Sequence, residues 1–151
     1  MQRWTPRATV ALVVEKDGKF LVVKEKVKGK PVYNQPAGHI EKGESILEAA
    51  LREALEETAW KVELTDFLGI YVLHVPARDV TYHRYAFVAR PVERKPLPLD
   101  PDILSTHWLT AEELRAQPEA LRSPLVMQCI DDYLAGRRLP LDTIRETRLD
   151  I

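Results

Sequence analysis

Cysteine is almost missing from this chain. Cys129 is the only one in 151 residues, so no internal disulfide can form. The four histidines lack the spacing of a zinc motif. No apolar run approaches the ~20 residues of a membrane-spanning helix. The opening stretch Met1 to Pro6 has no apolar core of the kind a secretory signal carries. Excess positive charge is absent as well. There are 22 basic and 23 acidic residues, a formal net charge of −1, which argues against a nucleic-acid partner gripped through its phosphates. No repeat, low-complexity tract or linker interrupts the sequence. These absences leave a cytoplasmic enzyme or binding domain with no membrane attachment as the expectation.

What is present suits one folded domain over residues 1–151. The chain is 45% apolar and 30% charged, which excludes a disordered tail. At this length a core can form without a disulfide or metal staple. Thr9 to Glu15 and Phe20 to Val23 are short β-branched runs separated by Asp17-Gly18, a strong hairpin signal. A second turn is expected at Lys28 to Pro31. Strands are expected again at Asp66 to Val75 and Thr81 to Ala89, and near Trp108. Arg90 to Pro101 holds four prolines and reads as a surface loop. Two helices are expected late in the chain. One starts at Thr110, with Glu113 at capping-box spacing. The other starts at Ser123-Pro124 and stops near Gly136. The order of elements predicts a mixed α/β (α+β) fold.

The firmest helix runs from Ser45 to Thr58. Ser45 and Glu48 have capping-box spacing, and the interior holds strong helix formers with no Gly or Pro. Residues 41–57 hold six glutamates against two basic residues. On a helical wheel Glu53, Glu56 and Glu57 share one sector, beside a broad apolar sector of Leu47, Leu51, Ala54, Leu55 and Thr58. Like charges at i, i+4 cost a helix roughly 0.2–0.5 kcal/mol per pair. Glutamates near a helix C-terminus also oppose the dipole. A divalent cation would cancel this repulsion, and oxygen-only donors select a hard ion, Mg²⁺ or Mn²⁺. The competing reading is a solvated acidic face.

The residues before the helix weigh against that reading. Gly38, then five residues to Glu44, then seven to Arg52-Glu53-Ala54-Leu55-Glu56-Glu57, resembles the signature of the Nudix hydrolases, G-x5-E-x7-R-E-U-x-E-E-x-G-U, where U is a bulky aliphatic. Ala59 and Trp60 stand where the family has glycine and an aliphatic residue. Glycine would serve a left-handed helix exit, and alanine there costs on the order of 1 kcal/mol. Asn34 to His39, Trp108-Leu109, Leu121 to Val126 and Leu139 to Leu141 extend the resemblance to a phosphatase subgroup of the family.

The resemblance implies a mixed β-sheet sandwiched between helices and a Mg²⁺-dependent hydrolase, with Mn²⁺ as the alternative ion. The chain would be a monomer or small homo-oligomer. The implied substrates are small di- and triphosphates: nucleoside tri- and diphosphates, hydroxymethylpyrimidine pyrophosphate and thiamine pyrophosphate. Glu53 and Glu57 would be the main metal-binding carboxylates, Glu56 would complete the set, and the Gly38 carbonyl would face the metal. Arg52 would pair with a glutamate, most simply Glu44, tying loop to helix. The general base is either a glutamate of the motif or a carboxylate on a later loop, where Asp102 is the candidate and Asp100 its neighbour. Gln35 is a candidate for a phosphate or base edge, against a structural amide. Arg84 is the best of the candidate phosphate contacts, ahead of Lys24 and Lys28. Tyr33 and Tyr71 could stack on a ring or serve the core. Cys129 reads as a core residue. The alternatives are a Nudix pyrophosphatase for ADP-ribose or dinucleoside polyphosphates, and a non-catalytic domain that senses a nucleotide.

Overall fold

The computed structural model describes residues 2–151, and two tight turns organise its first half. Strand β1 (Arg7–Lys16) returns as β2 (Lys19–Val27) through Asp17 and Gly18, and β2 returns as β3 (Lys30–Asn34) through Lys28 and Gly29. All four turn residues lie at positive φ, 52° and 78° in each pair, which matches the right-handed twist of the flanking strands. A short β4 (Ala37–His39) then pairs antiparallel with the start of β1.

Helix α1 (Ile46–Thr58) starts at Ser45 with both halves of the capping box formed. It ends at Ala59, which adopts the left-handed conformation at φ 62°. The exit that the family gives to glycine is therefore kept here by a strained alanine. The chain enters β5 (Trp60–Val75) directly, passes a 3₁₀ turn at Pro76–Arg78, and returns as β6 (Val80–Arg94). Strand β7 (Ile103–Leu109), α2 (Ala111–Arg115) and α3 (Leu125–Leu134) follow.

Two expectations need correction here. Residues 90–94 are strand, not loop: β6 runs on past Pro91, which faces Val62 beside a register shift in β5. A bulge is where a strand tolerates a residue with no N–H to donate. The surface loop is thus shorter and begins at Lys95. Strand β5 also begins six residues earlier than expected. Its first half alternates Trp60, Val62 and Leu64 inward with Lys61 and Glu63 outward.

The sheet has strand order β3-β2-β1-β6-β5, with β4 also on β1 and β7 also on β2, and the β1–β6 pair is parallel. Alternation along β1 sends Val10, Leu12 and Val14 to one face and Val13 to the other. The first face packs on Ala49, Ala50 and Ala54 of α1. The second packs on Leu114 of α2 and on Val126, Cys129 and Ile130 of α3. A mixed sheet between helices is the architecture expected from the sequence. No helix among the described residues is long and apolar enough to cross a membrane.

Candidate active site

Helix α1 meets the sheet through alanines, so it sits close to β1 and β4. That closeness changes the wheel drawn from sequence. Leu51, placed on the apolar sector, is 41% exposed. Glu53 and Glu57 are buried beside Ala50 and Ala54, at 8% and 9% exposure. The glutamate sector therefore divides, because Glu56 alone faces solvent.

Each buried carboxylate has a specific environment. Glu57 Oε1 accepts the Ala37 N–H at 2.8 Å. Glu53 Oε1 accepts from Arg52 Nη1 at 2.9 Å. Gly38 lies against Glu53 so closely that a Cβ there would come within 2.2 Å of the carboxyl group. Arg52 is the hub of the loop: its Nε and Nη2 reach Glu44 at 2.9 and 2.7 Å, and Nη2 also reaches the His39 carbonyl at 2.9 Å. This fork holds the Glu44 carboxyl down to about 2, with the Glu41 N–H assisting. Glu56 Oε2 accepts from Arg52 Nη1 at 3.1 Å.

Burial dominates the other carboxylates. It pushes Glu57 up to about 9, and Glu53, Glu25 and Asp100 add repulsion. Burial also raises Glu53, against the pull of Arg52. The fold thus holds two carboxyl groups where ionisation is costly. Both line a cavity of about 590 Å³ that also takes in Gly38, Arg84, Asp100 and Asp102.

Among the described residues, no three His, Cys, Asp or Glu side chains converge as a metal cluster. Glu56 is turned to Arg52 and does not line the cavity. The donor set still fits a hard divalent ion. Magnesium is commonly held by one or two carboxylates, with waters and substrate phosphates completing its shell. The all-oxygen set, the mutual repulsion and the space kept open by Gly38 all suit such an ion.

The remaining expected residues divide. Arg84, on β6, lines the cavity. Its Nη1 donates to Gln35 Oε1 at 3.3 Å, and desolvation lowers its pKa. Among the described residues it has no carboxylate in ion-pair range. Gln35 does not line the cavity; it is 2% exposed and spans the Leu12 carbonyl and Arg84. Tyr33 also lies outside, edge-on to His107 with Lys24 over its ring. Tyr71 donates to Asp132 at 2.7 Å and packs on the α3 core. Asp102 lines the cavity mouth; its N–H donates to Asp100 Oδ1 at 3.0 Å, and the Asp100 N–H donates to the Glu56 carbonyl at 2.8 Å.

Sequence reasoning missed Glu25 and Arg122, and set Asn34 only in the stretch leading to Gly38, without a contact. Glu25 sits where the β2–β7 register shifts, a bulge that re-aims a side chain. It accepts from Asn34 Nδ2 at 3.3 Å and lies 3.4 Å from Arg122 Nε. All three line the cavity. The signal available in the sequence was Arg122 inside the Leu121 to Val126 stretch already set apart.

Comparisons with known proteins bear on the family and the fold. The family model described as the NUDIX domain matches residues 4–128. The chain is 41% identical over 140 residues to the protein named phosphatase NudJ of Escherichia coli K12, covering 92% of this chain and 90% of that protein. A solved Nudix hydrolase from Nitrosomonas europaea superposes with a TM-score of 0.91 at 43% identity, covering 95% of this chain and 98% of the other. An ADP-ribose pyrophosphatase from Streptococcus suis superposes with a TM-score of 0.65 at 15% identity, covering 88% of this chain and 93% of that one. At that identity the likeness shows the fold alone.

Proposed function

The chain belongs to the Nudix hydrolases, and from that premise we propose that it is a Mg²⁺-dependent phosphatase of small di- and triphosphates. Nucleoside tri- and diphosphates, hydroxymethylpyrimidine pyrophosphate and thiamine pyrophosphate are the substrates to try first. The observation that carries this reading is the opposition within one cavity of two buried carboxylates, Glu53 and Glu57, and a guanidinium, Arg84, that has no carboxylate in ion-pair range among the described residues. Such a cavity suits a phosphate chain that arrives with its own counter-ion. The named relative, a phosphatase, supports the same choice. We read residues 1–151 as one Nudix domain.

Glu53, Glu57 and the Gly38 carbonyl would hold Mg²⁺ or Mn²⁺, with Glu56 as a third carboxylate once released from Arg52. Losing Glu56 leaves Arg52 its two bonds to Glu44. When bound, the ion offsets the charge of the phosphates. The chain's own residues do the rest. Arg84 neutralises a phosphate oxygen. Arg52 and Glu44 fix the loop that carries Gly38. A water oxygen attacks phosphorus in line, the bridging oxygen leaves with its electron pair, and a carboxylate takes the water's proton. Asp102 is the proposed acceptor of that proton, set by its bond to Asp100.

The test is a panel of phosphoanhydrides assayed with and without Mg²⁺, with both products identified. Orthophosphate release that requires the ion is the expected result. AMP with ribose phosphate from ADP-ribose would assign a different Nudix reaction. Binding without any turnover would assign a sensing domain. Asp102→Asn should cut kcat about 10²–10⁴-fold with little change in KM; the same loss in Asp100→Asn alone would move the base to Asp100.

A further inference from the structure

A guanidinium taken out of water normally sits against a carboxylate, because desolvating a charge is costly unless it is paired. Arg84 departs from that rule. Desolvation lowers its pKa, and it lines the cavity. Its hydrogen-bond partner among the described residues is a neutral amide: Nη1 donates to Gln35 Oε1 at 3.3 Å.

Gln35 is as unusual as its partner. It is one of the largest fully buried side chains of the molecule. Burying an amide costs desolvation and rotamer freedom, which an aliphatic side chain of the same size would largely avoid. Its other end faces the sheet, where Nε2 lies 3.5 Å from the Leu12 carbonyl of β1. These two neighbours fix the direction of the amide. A guanidinium only donates and a carbonyl only accepts. Turning the amide round would set N–H against N–H and oxygen against oxygen.

A glutamate at this position would have the same shape and would hold the guanidinium by a stronger, charge-assisted bond. It would also cancel the charge. The same cavity already takes in Glu53 and Glu57, so a further acid beside Arg84 would leave an incoming phosphate facing net repulsion. The amide orients the cation without that loss.

We infer that Gln35 is a positioning residue for Arg84: its amide holds the guanidinium fork at the cavity wall and, being neutral, leaves the positive charge to a substrate phosphate. The inference rests on Arg84 as the phosphate contact proposed above, and only its kinetic arm needs turnover.

The test measures binding of methylene diphosphonate, a diphosphate analogue whose P–C–P link water does not cleave, by calorimetry with Mg²⁺ present. Thermal melts check that each variant is folded. Gln35→Glu keeps the bond and cancels the charge, so it weakens binding at least about tenfold, the scale of a hydrogen bond to a charged group. Gln35→Met keeps the charge and frees the fork, so it weakens binding by less. Arg84→Gln removes the cation, and adding Gln35→Met to it has no further effect, because the amide acts only through the guanidinium. A role in packing alone would persist in the Arg84→Gln background, so additive losses overturn the inference. Wild-type affinity in Gln35→Glu overturns it as well. The cycle of Gln35→Met with Arg84→Gln decides the matter should Gln35→Glu not fold. In turnover, Gln35→Met raises KM more than it lowers kcat, as expected for a contact made equally in the ground and transition states; equal loss in kcat and kcat/KM overturns the inference. A non-additive cycle without orthophosphate release from any substrate keeps the positioning role and removes the phosphatase reading. Orthophosphate release with additive losses does the reverse. Wild-type affinity in Arg84→Gln removes the phosphate contact and the inference together.

Discussion

Glu57 carries the sharpest single-residue expectation. Glu57→Gln keeps a side-chain oxygen for the Ala37 N–H and removes the charge that burial penalises. Turnover should fall by about 10²–10³-fold, as when a charge-stabilising group is lost. The metal-free variant should melt no lower than the wild type at pH 8. Phosphate release and a thermal melt check the two halves separately. Gly38→Ala acts on the neighbouring carboxylate. Its methyl would meet Glu53 at 2.2 Å, so Glu53 must move, and the Mg²⁺ concentration needed for half-maximal activity should rise at least tenfold while the fold survives. The motif made Gly38, Glu53 and Glu57 legible from sequence because its spacing follows the geometry. Gln35 and Asn34 show the limit. Asn34 ends β3 and Gln35 follows it, and nothing in the sequence said which of the two amides faces the cavity. Tyr33 shows the same ambiguity: a strand aromatic suits lining a site or packing in the core, and here it packs edge-on to His107.

At the scale of elements, α1 was readable at both ends and misjudged on its faces. Capping boxes are local, so Ser45 with Glu48 and Thr110 with Glu113 could be read directly, and both form. Which face is buried depends on what the helix packs against. The small alanines admit β1 and β4 so closely that two glutamates go under and Leu51 comes out. Strand ends were harder, because the bulges that let β6 continue through Pro91 arise from pairing across the sheet. The helix exit supplies a test of magnitudes. A left-handed alanine costs on the order of 1 kcal/mol. Burying its methyl returns about 0.8 kcal/mol, and Ala59 is fully buried. The two nearly cancel, which accounts for alanine at a glycine position. Ala59→Gly should therefore shift the melting temperature by no more than a few degrees, whereas Ala59→Val, β-branched at positive φ, should lower it by far more.

For the whole molecule, pH and metal act through opposed groups. The metal-free fold holds the Glu57 proton more tightly than the unfolded chain does. That contribution is complete below 4.5 and is lost as pH rises towards 9. Glu44 runs the other way: its contribution is present above 4.5 and lost as pH falls towards 2. Without metal, the melting temperature should fall between pH 6 and 9. Because metal binding needs the ionised carboxylate, the increment from added Mg²⁺ should be larger at pH 8 than at pH 6. Melts in chelator and in Mg²⁺ across that range measure both.

The last stretch of the chain lies beyond the region matched by the family model, yet it touches the helix that matters most. Leu139 pairs with Phe67, Leu141 and Ile144 pack on the α1 core, and Glu146 accepts the Ile46 N–H at 3.1 Å. A protease nick after Arg138 would thus act as a remote brake, freeing the start of α1, the helix whose other end carries the glutamates proposed to hold the ion.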